Sequence, residues 1–574
     1  MFKKASLLYN FVMGSSQSRE SAVALINQWN SEPRELLIFD KGRDEASQYL
    51  QAVVKIQQTA SAEELQQIIP MAINRLKLEF QRVLNRQGES YLTVSNTITE
   101  LSTTTITDIS YYQSRYEDFV MYEAPTTEVV DYLRKIAEIM NACGHLEACI
   151  DVYISVRKPF VRIIFDRLRL DELKAGDTKK FLSEELKVRI ERWIGATKAC
   201  VPKLFLKEKL FAEQIFSGLG RTSTHVECFL NVVKDVAVSL FSFAESVSLS
   251  RQSSERLNVV LILYDAMLSL MPDVNSLFPL DQTGKGIGNS FAATCSKLGD
   301  EIGRMLSDFE DVVLNEISTI SNNDGGRVHQ LTKNVVGYIN VITNYKTVLM
   351  KLLQSRPSKI VQDKKLPDDL LRDPKSLTPL SLHLVLIIAV LQLNLDNKSK
   401  YYKEASLGHL FMMNNVNYIV LKSKESQVLQ DLIGVDYLNK LNGYVKGAMI
   451  SYQDLTCGIL LKCLEEEGIY VTQCCTSRVS TGTLRSNVRN FNAAFEKIKS
   501  LQSSWEVPDP SLREELRRSM LNRLKPEYER FLERHKNHFE STNFFQQAQK
   551  TDVKYTVQDL QVLIEENLFS RSGS

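Results

Sequence analysis

Over residues 380–395 the chain runs through Leu382, Leu384, Val385, Leu386, Ile387, Ile388, Ala389, Val390, Leu391, Leu393 and Leu395 with hardly a polar interruption. Such a run cannot rest in water. A membrane-spanning helix needs about 20 predominantly apolar residues, and this run is shorter and carries His383, Gln392 and Asn394. A helix apolar on every side and not in lipid is buried among other helices, so the stretch predicts a central core helix. Residues 396–400 supply a polar break, after which Leu407, Leu410, Phe411 and Asn414 restart a helical period.

Single cores stop growing at about 250–300 residues, so a chain of 574 residues predicts several packed units. With 70 Lys and Arg against 69 Asp and Glu, no global field draws the chain to nucleic acid or membrane, and any electrostatic function is local. Low glycine and proline with abundant Leu, Glu, Lys, Ser and Gln favours helices over a sheet-rich sandwich or barrel. Nine cysteines without regular spacing make no disulfide framework and fit reduced thiols in the cytosol. Lys3 and Lys4 precede a short apolar stretch that imitates a signal peptide, but Asn10 interrupts it; neither a cleaved signal nor a transmembrane segment is expected.

Helical periodicity recurs along the chain. Tyr49, Leu50, Val53, Val54 and Ile56 form one apolar face, and Ala72, Leu76 and Phe80 another. Residues 88–127 are crowded with Thr and Ser and predict a flexible linker. Beyond it Leu133, Ile136, Ala137 and Met140 mark a helix that breaks at Cys143-Gly144, and a helical stretch over 188–216 precedes Gly218-Leu219-Gly220. Leu257, Val260, Leu261, Tyr264 and Leu268 form a buried face that Pro272-Asp273 is expected to close. Loops are expected at 322–326 and 355–374. No segment alternates long enough to demand a sheet. The fold class predicted is all-α, with antiparallel helices stacked into bundles: residues 1–127, 128–250, 251–375, 376–509 and a C-terminal tip over 510–574.

In that tip, Asp509 and Pro510 read as N-cap and first helical residue of a helix burying Leu512, Leu516, Met520 and Leu524. Arg518 and Lys525 point away from that stripe, with Arg517 on its flank and Arg523 on the same helix. Thr556 and Asp559 have the spacing of a capping box before a last stripe of Leu560, Leu563, Ile564 and Leu568, and Lys550 and Lys554 sit just ahead of it. Free N–H groups at a helix start suit an anion, and cations near a charged membrane contribute about 1 kcal/mol each. The plainer reading is a solvated face with pairs such as Glu514 to Arg518 and Arg530 to Glu533, worth little.

Candidates for chemistry are weak. Cys143, His145 and Cys149 lack a fourth ligand at structural-zinc spacing, and Cys474-Cys475 falls in a polar loop after Gly468. Gly284-Lys285-Gly286-Ile287-Gly288 lacks the spacing and the preceding strand of a phosphate-binding loop. No histidine pairs with a nucleophile in a recognisable motif. Catalytic residues, metal ligands and cofactors are therefore not expected, and around His329 the turn and N-cap chemistry falls to Thr332 or Asn323.

Residues 394–402, Asn-Leu-Asp-Asn-Lys-Ser-Lys-Tyr-Tyr, and 410–420, Leu-Phe-Met-Met-Asn-Asn-Val-Asn-Tyr-Ile-Val, resemble the signature block of the seventy-kilodalton exocyst subunit in its plant form. Phe491-Asn492-Ala493-Ala494-Phe495-Glu496, the stretch 505–517 from Trp505 to Arg517, and Gly325-Gly326-Arg327-Val328-His329-Gln330-Leu331-Thr332 carry the same resemblance, which covers nearly the whole chain from about Lys41. It implies an elongated rod of helical bundles, without enzymatic activity, that tethers secretory vesicles to the plasma membrane from the cytoplasm. The partners implied are other exocyst subunits and a phosphoinositide surface bearing phosphatidylinositol 4,5-bisphosphate, with small GTPases or pathogen effectors as further classes and no nucleic acid. The lipid contacts implied are Arg517, Arg518, Arg523, Lys525, Lys550 and Lys554; Lys554 matches the family's basic position directly and Lys550 less closely. The alternative implied is a specialised plant paralogue acting as an interaction hub in immunity, with weak or no lipid binding.

Overall fold

The computed structural model describes residues 19–59, 62–99, 125–168, 170, 181–221, 223–249, 256–280, 286–317, 324–354, 377–473, 476–540 and 553–569. The chain divides into two compact units, Met1–Ile302 and Gly303–Ser574.

The first unit contains α1 (Arg19–Ser31), α2 (Arg43–Thr59), α3 (Ala62–Thr99), α4 (Thr127–Ala142), α5 (Leu146–Arg167), α6 (Ser183–Ala199), α7 (Leu206–Phe216), α8 (Thr224–Leu249), α9 (Leu257–Leu277) and the first half of α10 (Ile287–Leu314). The periodic stripes are its core: Leu133, Ile136, Ala137 and Met140 of α4 are buried, as are Leu257, Val260 and Leu261 of α9. A π-turn, Cys200–Phe205, links α6 to α7. Pro202 lies within it; proline lacks the N–H of an α-helical ladder and crowds the preceding turn, which a locally wider helix accommodates. Arg157 and Glu208 form a buried ion pair, each side chain 1% exposed, with Arg157 Nε donating to Glu208 Oε2 at 3.1 Å.

Two sequence expectations change here. The backbone of α3 stays helical beyond Gly88 to Thr99, because one glycine costs a helix only about 1 kcal/mol; of the remainder of the expected linker, 100–124 lies outside the described residues, and Thr126 already caps α4, which opens at Thr127. Pro272 does not close α9, which continues to Leu277. Val274 and Leu277 are buried beyond the proline, and their packing holds the last turn.

The second unit holds the rest of α10, then α11 (Gln330–Asn344), α12 (Lys346–Leu353), α13 (Pro379–Ser399), α14 (Ala405–Lys424), α15 (Gln427–Ile433), α16 (Val435–Lys462), the strands β1 (Tyr470–Gln473) and β2 (Thr476–Val479), α17 (Thr481–Gln502), α18 (Pro510–Arg534), α19 (Lys536–Glu540) and α20 (Val557–Val562). The strands form an antiparallel hairpin with Tyr470 opposite Val479, where the sequence predicted only a loop. Four residues per strand are too few for alternation to register. Cys474 and Cys475, like the loop at 355–374, lie outside the described residues.

α13 is the central core helix. Thr378 caps it by accepting from Ser381 N at 3.1 Å, with Pro379 in its first turn, and Leu384 through Leu391 are all buried. By length and composition α9 and α13 could each cross a membrane, yet His383, the Asn394 amide nitrogen and Lys398 of α13 find polar partners inside the unit. His383 lies between Glu310 Oε1, 2.7 Å from Nδ1, and the Tyr338 hydroxyl, 2.8 Å from Nε2. Asn394 donates to the carbonyls of Val313 (3.2 Å) and Glu316 (2.9 Å). Lys398 is buried against the Glu316 carboxylate at 2.6 Å. That burial keeps the helix intact to Ser399, so the polar break falls after 399 rather than at Asp396.

Three sequence stretches meet at α14. Asn414 Nδ2 donates to the carbonyls of Gly326 and Glu506, both at 2.7 Å. Asn415 Oδ1 accepts from His329 N (2.8 Å) and the Thr332 hydroxyl (2.6 Å), while its Nδ2 donates to the carbonyls of Phe411 (2.8 Å) and Arg327 (3.3 Å). Glu506 N donates to Gly325 O at 2.9 Å, and Arg327 meets the Glu506 carboxylate in a two-point ion pair. Thr332 is therefore not the N-cap of α11; His329 is, its Nδ1 accepting from Leu331 N at 3.1 Å. Asn323 lies outside the described residues. Gly325 has φ +67°, and a Cβ there would stand 2.4 Å from the Ser504 carbonyl oxygen.

Asn415→Ala is expected to destabilise the second unit by about 3 kcal/mol, since it orphans buried backbone groups, and Gly325→Ala by at least about 1 kcal/mol. In contrast, Gly443→Ala in α16, where an added methyl meets nothing within 4 Å, is expected to stabilise by about 0.5–1 kcal/mol. Urea unfolding followed by circular dichroism checks all three; a neutral Gly325→Ala would contradict the close approach.

Candidate functional site

The C-terminal end of the second unit is built on α18. Asp509 Oδ1 accepts from Leu512 N at 2.7 Å with Pro510 in the first turn, and Leu512, Leu516, Met520 and Leu524 are buried. The rows fall as the apolar spacing dictates. Against α18 pack α16, α20 and the π-turn Leu563–Asn567. At the head of α20, Thr556 and Asp559 form a reciprocal capping box, Asp559 N to Thr556 Oγ1 at 3.1 Å and Thr556 N to Asp559 Oδ2 at 2.9 Å. These bonds hold the Asp559 carboxyl below the usual range.

The five described basic residues do not share one patch. Arg517 is 8% exposed; its Nε donates to Leu568 O at 3.0 Å, its Nη2 reaches the same oxygen, and its Nη1 meets Glu514 Oε1 at 2.9 Å. The expectation that Arg517 faces lipid is thereby corrected: it lies on the flank that the last segment covers, and it fastens that segment to α18. Arg518 is exposed. Arg523 turns to α16 and meets Asp454 Oδ1 at 2.5 Å, whereas Lys525 Nζ donates to Gln561 Oε1 of α20 at 3.0 Å. Lys554 pairs with Glu496 of α17, its Nζ 5.3 Å from the centre of its neighbour's ring, Tyr555. Lys550 lies outside the described residues.

The expected helix pairs also change partners: Glu514 meets Arg517, one residue short of Arg518, and Arg530 meets Glu527, three residues before it rather than three after, at 2.6 Å. Both expected and observed spacings are allowed on a helix, and for Glu514 the buried guanidinium decides between them.

Sequence reasoning did not single out Glu496 or Tyr555. The Tyr555 hydroxyl and the Lys554 ammonium converge on Glu496 Oε1, and Lys554 first, then Tyr555, hold that carboxyl below its usual range, while the same bond raises Lys554. Glu496 is therefore charged at neutral pH. The residues are more than fifty positions apart in the chain, and no local pattern links them. Elsewhere, among the described residues, no group of three His, Cys, Asp or Glu is placed to hold a metal ion. Cys149 is buried, with burial pushing its thiol up.

The family model for the C-terminal region of the Exo70 exocyst complex subunit matches residues 191–566, and that for the N-terminal region of exocyst complex component Exo70 matches 18–86. The chain belongs to the Exo70 family of exocyst subunits. It is 27% identical over 508 residues to the Arabidopsis thaliana exocyst complex component EXO70B2, covering 88% of this chain and 80% of the relative. Similarity to EXO70E2 of the same plant runs to 26% over 578 residues, covering 95% and 86% of the two chains. A solved Saccharomyces cerevisiae Exo70 structure superposes with a TM-score of 0.58 at 15% identity, covering 97% of this chain and all of that one, and a second gives 0.56 at 16%. These two carry the fold alone. The Exo70 family is a family of structural subunits rather than of enzymes, and its C-terminal match takes in the core helix α13, Asn414 and Asn415 of α14, and the whole of α18 and α20.

Arg517→Ala is expected to destabilise the C-terminal segment by about 1–3 kcal/mol, because Leu568 O loses its buried donor. Arg518→Ala should change stability by less than about 0.5 kcal/mol. Hydrogen exchange at 560–569 and thermal unfolding together separate the two, and equal effects would contradict the buried role of Arg517.

Proposed function

We propose that this Exo70 family member is a non-enzymatic exocyst subunit that tethers secretory vesicles to the plasma membrane, working from the cytoplasm together with other exocyst subunits. The observation that carries the reading is the family match over 191–566, two thirds of the chain. The end of the second unit is its contact with anionic phosphoinositide. There Arg518 and Lys554 are exposed, Arg523 and Lys525 are half-buried on α18, and Arg517 serves by holding the last segment in place. Cations in this position act additively on a charged surface, so the assignment does not require them to converge on one pocket.

A second reading, a specialised plant paralogue acting as an interaction hub for immune receptors or pathogen effectors, draws support from the acids that engage the site: Glu496 on Lys554 and Asp454 on Arg523. Such pairing lowers the charge presented to a membrane.

Co-sedimentation with vesicles containing phosphatidylinositol 4,5-bisphosphate tests the first reading. Binding at low salt is expected, weakened severalfold by Arg518→Ala/Lys554→Ala and steeply reduced as salt rises, because surface charges are screened. Absence of binding at low salt would overturn the lipid assignment and favour the hub.

A further inference from the structure

The acid that meets Lys554 is more than a surface partner. The Lys554 ammonium and the Tyr555 hydroxyl both point at one oxygen, Glu496 Oε1, and Lys499, one turn further along α17, adds its positive field to the same carboxylate. The Tyr555 ring is fixed. It is buried, packs edge-on against Phe495 at 5.1 Å, and its backbone carbonyl accepts from the Tyr528 hydroxyl at 2.7 Å. The hydroxyl is thus held in one place beside the exposed Lys554. Glu496, by contrast, is 41% exposed and Lys554 55% exposed, so the pair is open to solvent and weakly held.

Donors arranged around an oxyanion accept any oxyanion of suitable charge. A phosphomonoester carries more charge than a carboxylate and three strong acceptor oxygens, and charge-assisted bonds to it are correspondingly strong. We propose that Glu496 is an internal counter-anion seated in a phosphate site formed by Lys554, Tyr555 and Lys499, and that a headgroup phosphomonoester displaces it. The proposal rests on the lipid-contact reading above and extends it. It names Tyr555 and Lys499 as specificity-determining residues and makes Glu496 the group that sets the threshold for binding. Phosphatidylserine, which offers a diester and a carboxylate rather than a monoester, gains less from the same donors.

The test uses the full chain and three probes: vesicles with phosphatidylinositol 4,5-bisphosphate, vesicles with phosphatidylserine at matched charge, and soluble inositol 1,4,5-trisphosphate. Glu496→Gln is expected to tighten binding to the bisphosphate vesicles by about fivefold, the effect of one cation released to a charged surface. The gain should disappear in the Lys554→Ala background. Tyr555→Phe, which keeps the ring packing, should weaken binding to the bisphosphate vesicles and leave phosphatidylserine binding unchanged. Soluble inositol trisphosphate should displace Glu496→Gln from vesicles at lower concentration than phosphatidylserine binding would require, showing that the phosphate and not the bilayer is read. Glu515→Gln, which removes an exposed acid of α18, is the control for net charge.

If the wild type binds bisphosphate vesicles but Glu496→Gln binds no tighter, or if Glu515→Gln gives the same gain, or if the gain survives Lys554→Ala, the counter-anion is overturned and the lipid contact stands. If neither the wild type nor any variant binds, both readings fall together.

Discussion

Two adjacent asparagines in the middle of a buried helix hold the second unit together. A side-chain amide offers donors and an acceptor at one point; the Asn414 amide nitrogen and both ends of the Asn415 amide bond to backbone, reaching the turn at 325–329 and, from Asn414, the extended segment at 506. Both asparagines are buried, and buried polar groups are costly without partners. Neither side can therefore be released without exposing or orphaning the other. The consequence runs outward. With Glu506 fixed, Val507 O accepts from Arg513 Nε at 3.0 Å, Asp509 caps α18, and the helix that bears the candidate site starts from a defined point. The site is positioned by a clamp that contributes no residue to it.

The same economy governs the core helix. α13 is apolar on all sides, yet it carries His383, Asn394 and Lys398, each of which meets a group from the C-terminal half of α10 or the residues after it. Hydrophobic burial is not directional; it would let α13 rotate or slide. Polar contacts placed along its length specify one register, which is the role buried polar groups play in helical bundles. In the Glu310, His383 and Tyr338 chain the imidazole satisfies a carboxylate on one nitrogen and a phenol on the other.

Periodicity and capping carried most of what was legible in the sequence. The stripes of α4, α9 and α18, the Asp509 and Thr556 caps and the buried character of α13 follow from local spacing, and local spacing is visible in a chain. What was not visible depends on partners far along the chain. Arg517 sits on the flank of the α18 stripe, and only the return of Leu568, 51 residues later, turns a surface cation into a buried fastening. Glu496 is one more exposed acid until Lys554 and Tyr555 are placed beside it. The hairpin was too short to show alternation, and His329 took the capping role because Asn415 had already engaged Thr332. Each miss is a case of tertiary contact deciding between options that the local sequence left equal.

The proposed membrane-facing part of the protein is the C-terminal end of the second unit. Hydrogen–deuterium exchange of the full chain, with and without phosphatidylinositol 4,5-bisphosphate vesicles, measures that directly. Added protection should be confined to peptides covering 495–502, 518–525 and 553–562, with the clamp segments at 325–329 and 411–416 unchanged because their asparagine bonds are buried away from that end. Protection confined to α1–α9, or a uniform change without any focus at the C-terminal end, would contradict that assignment.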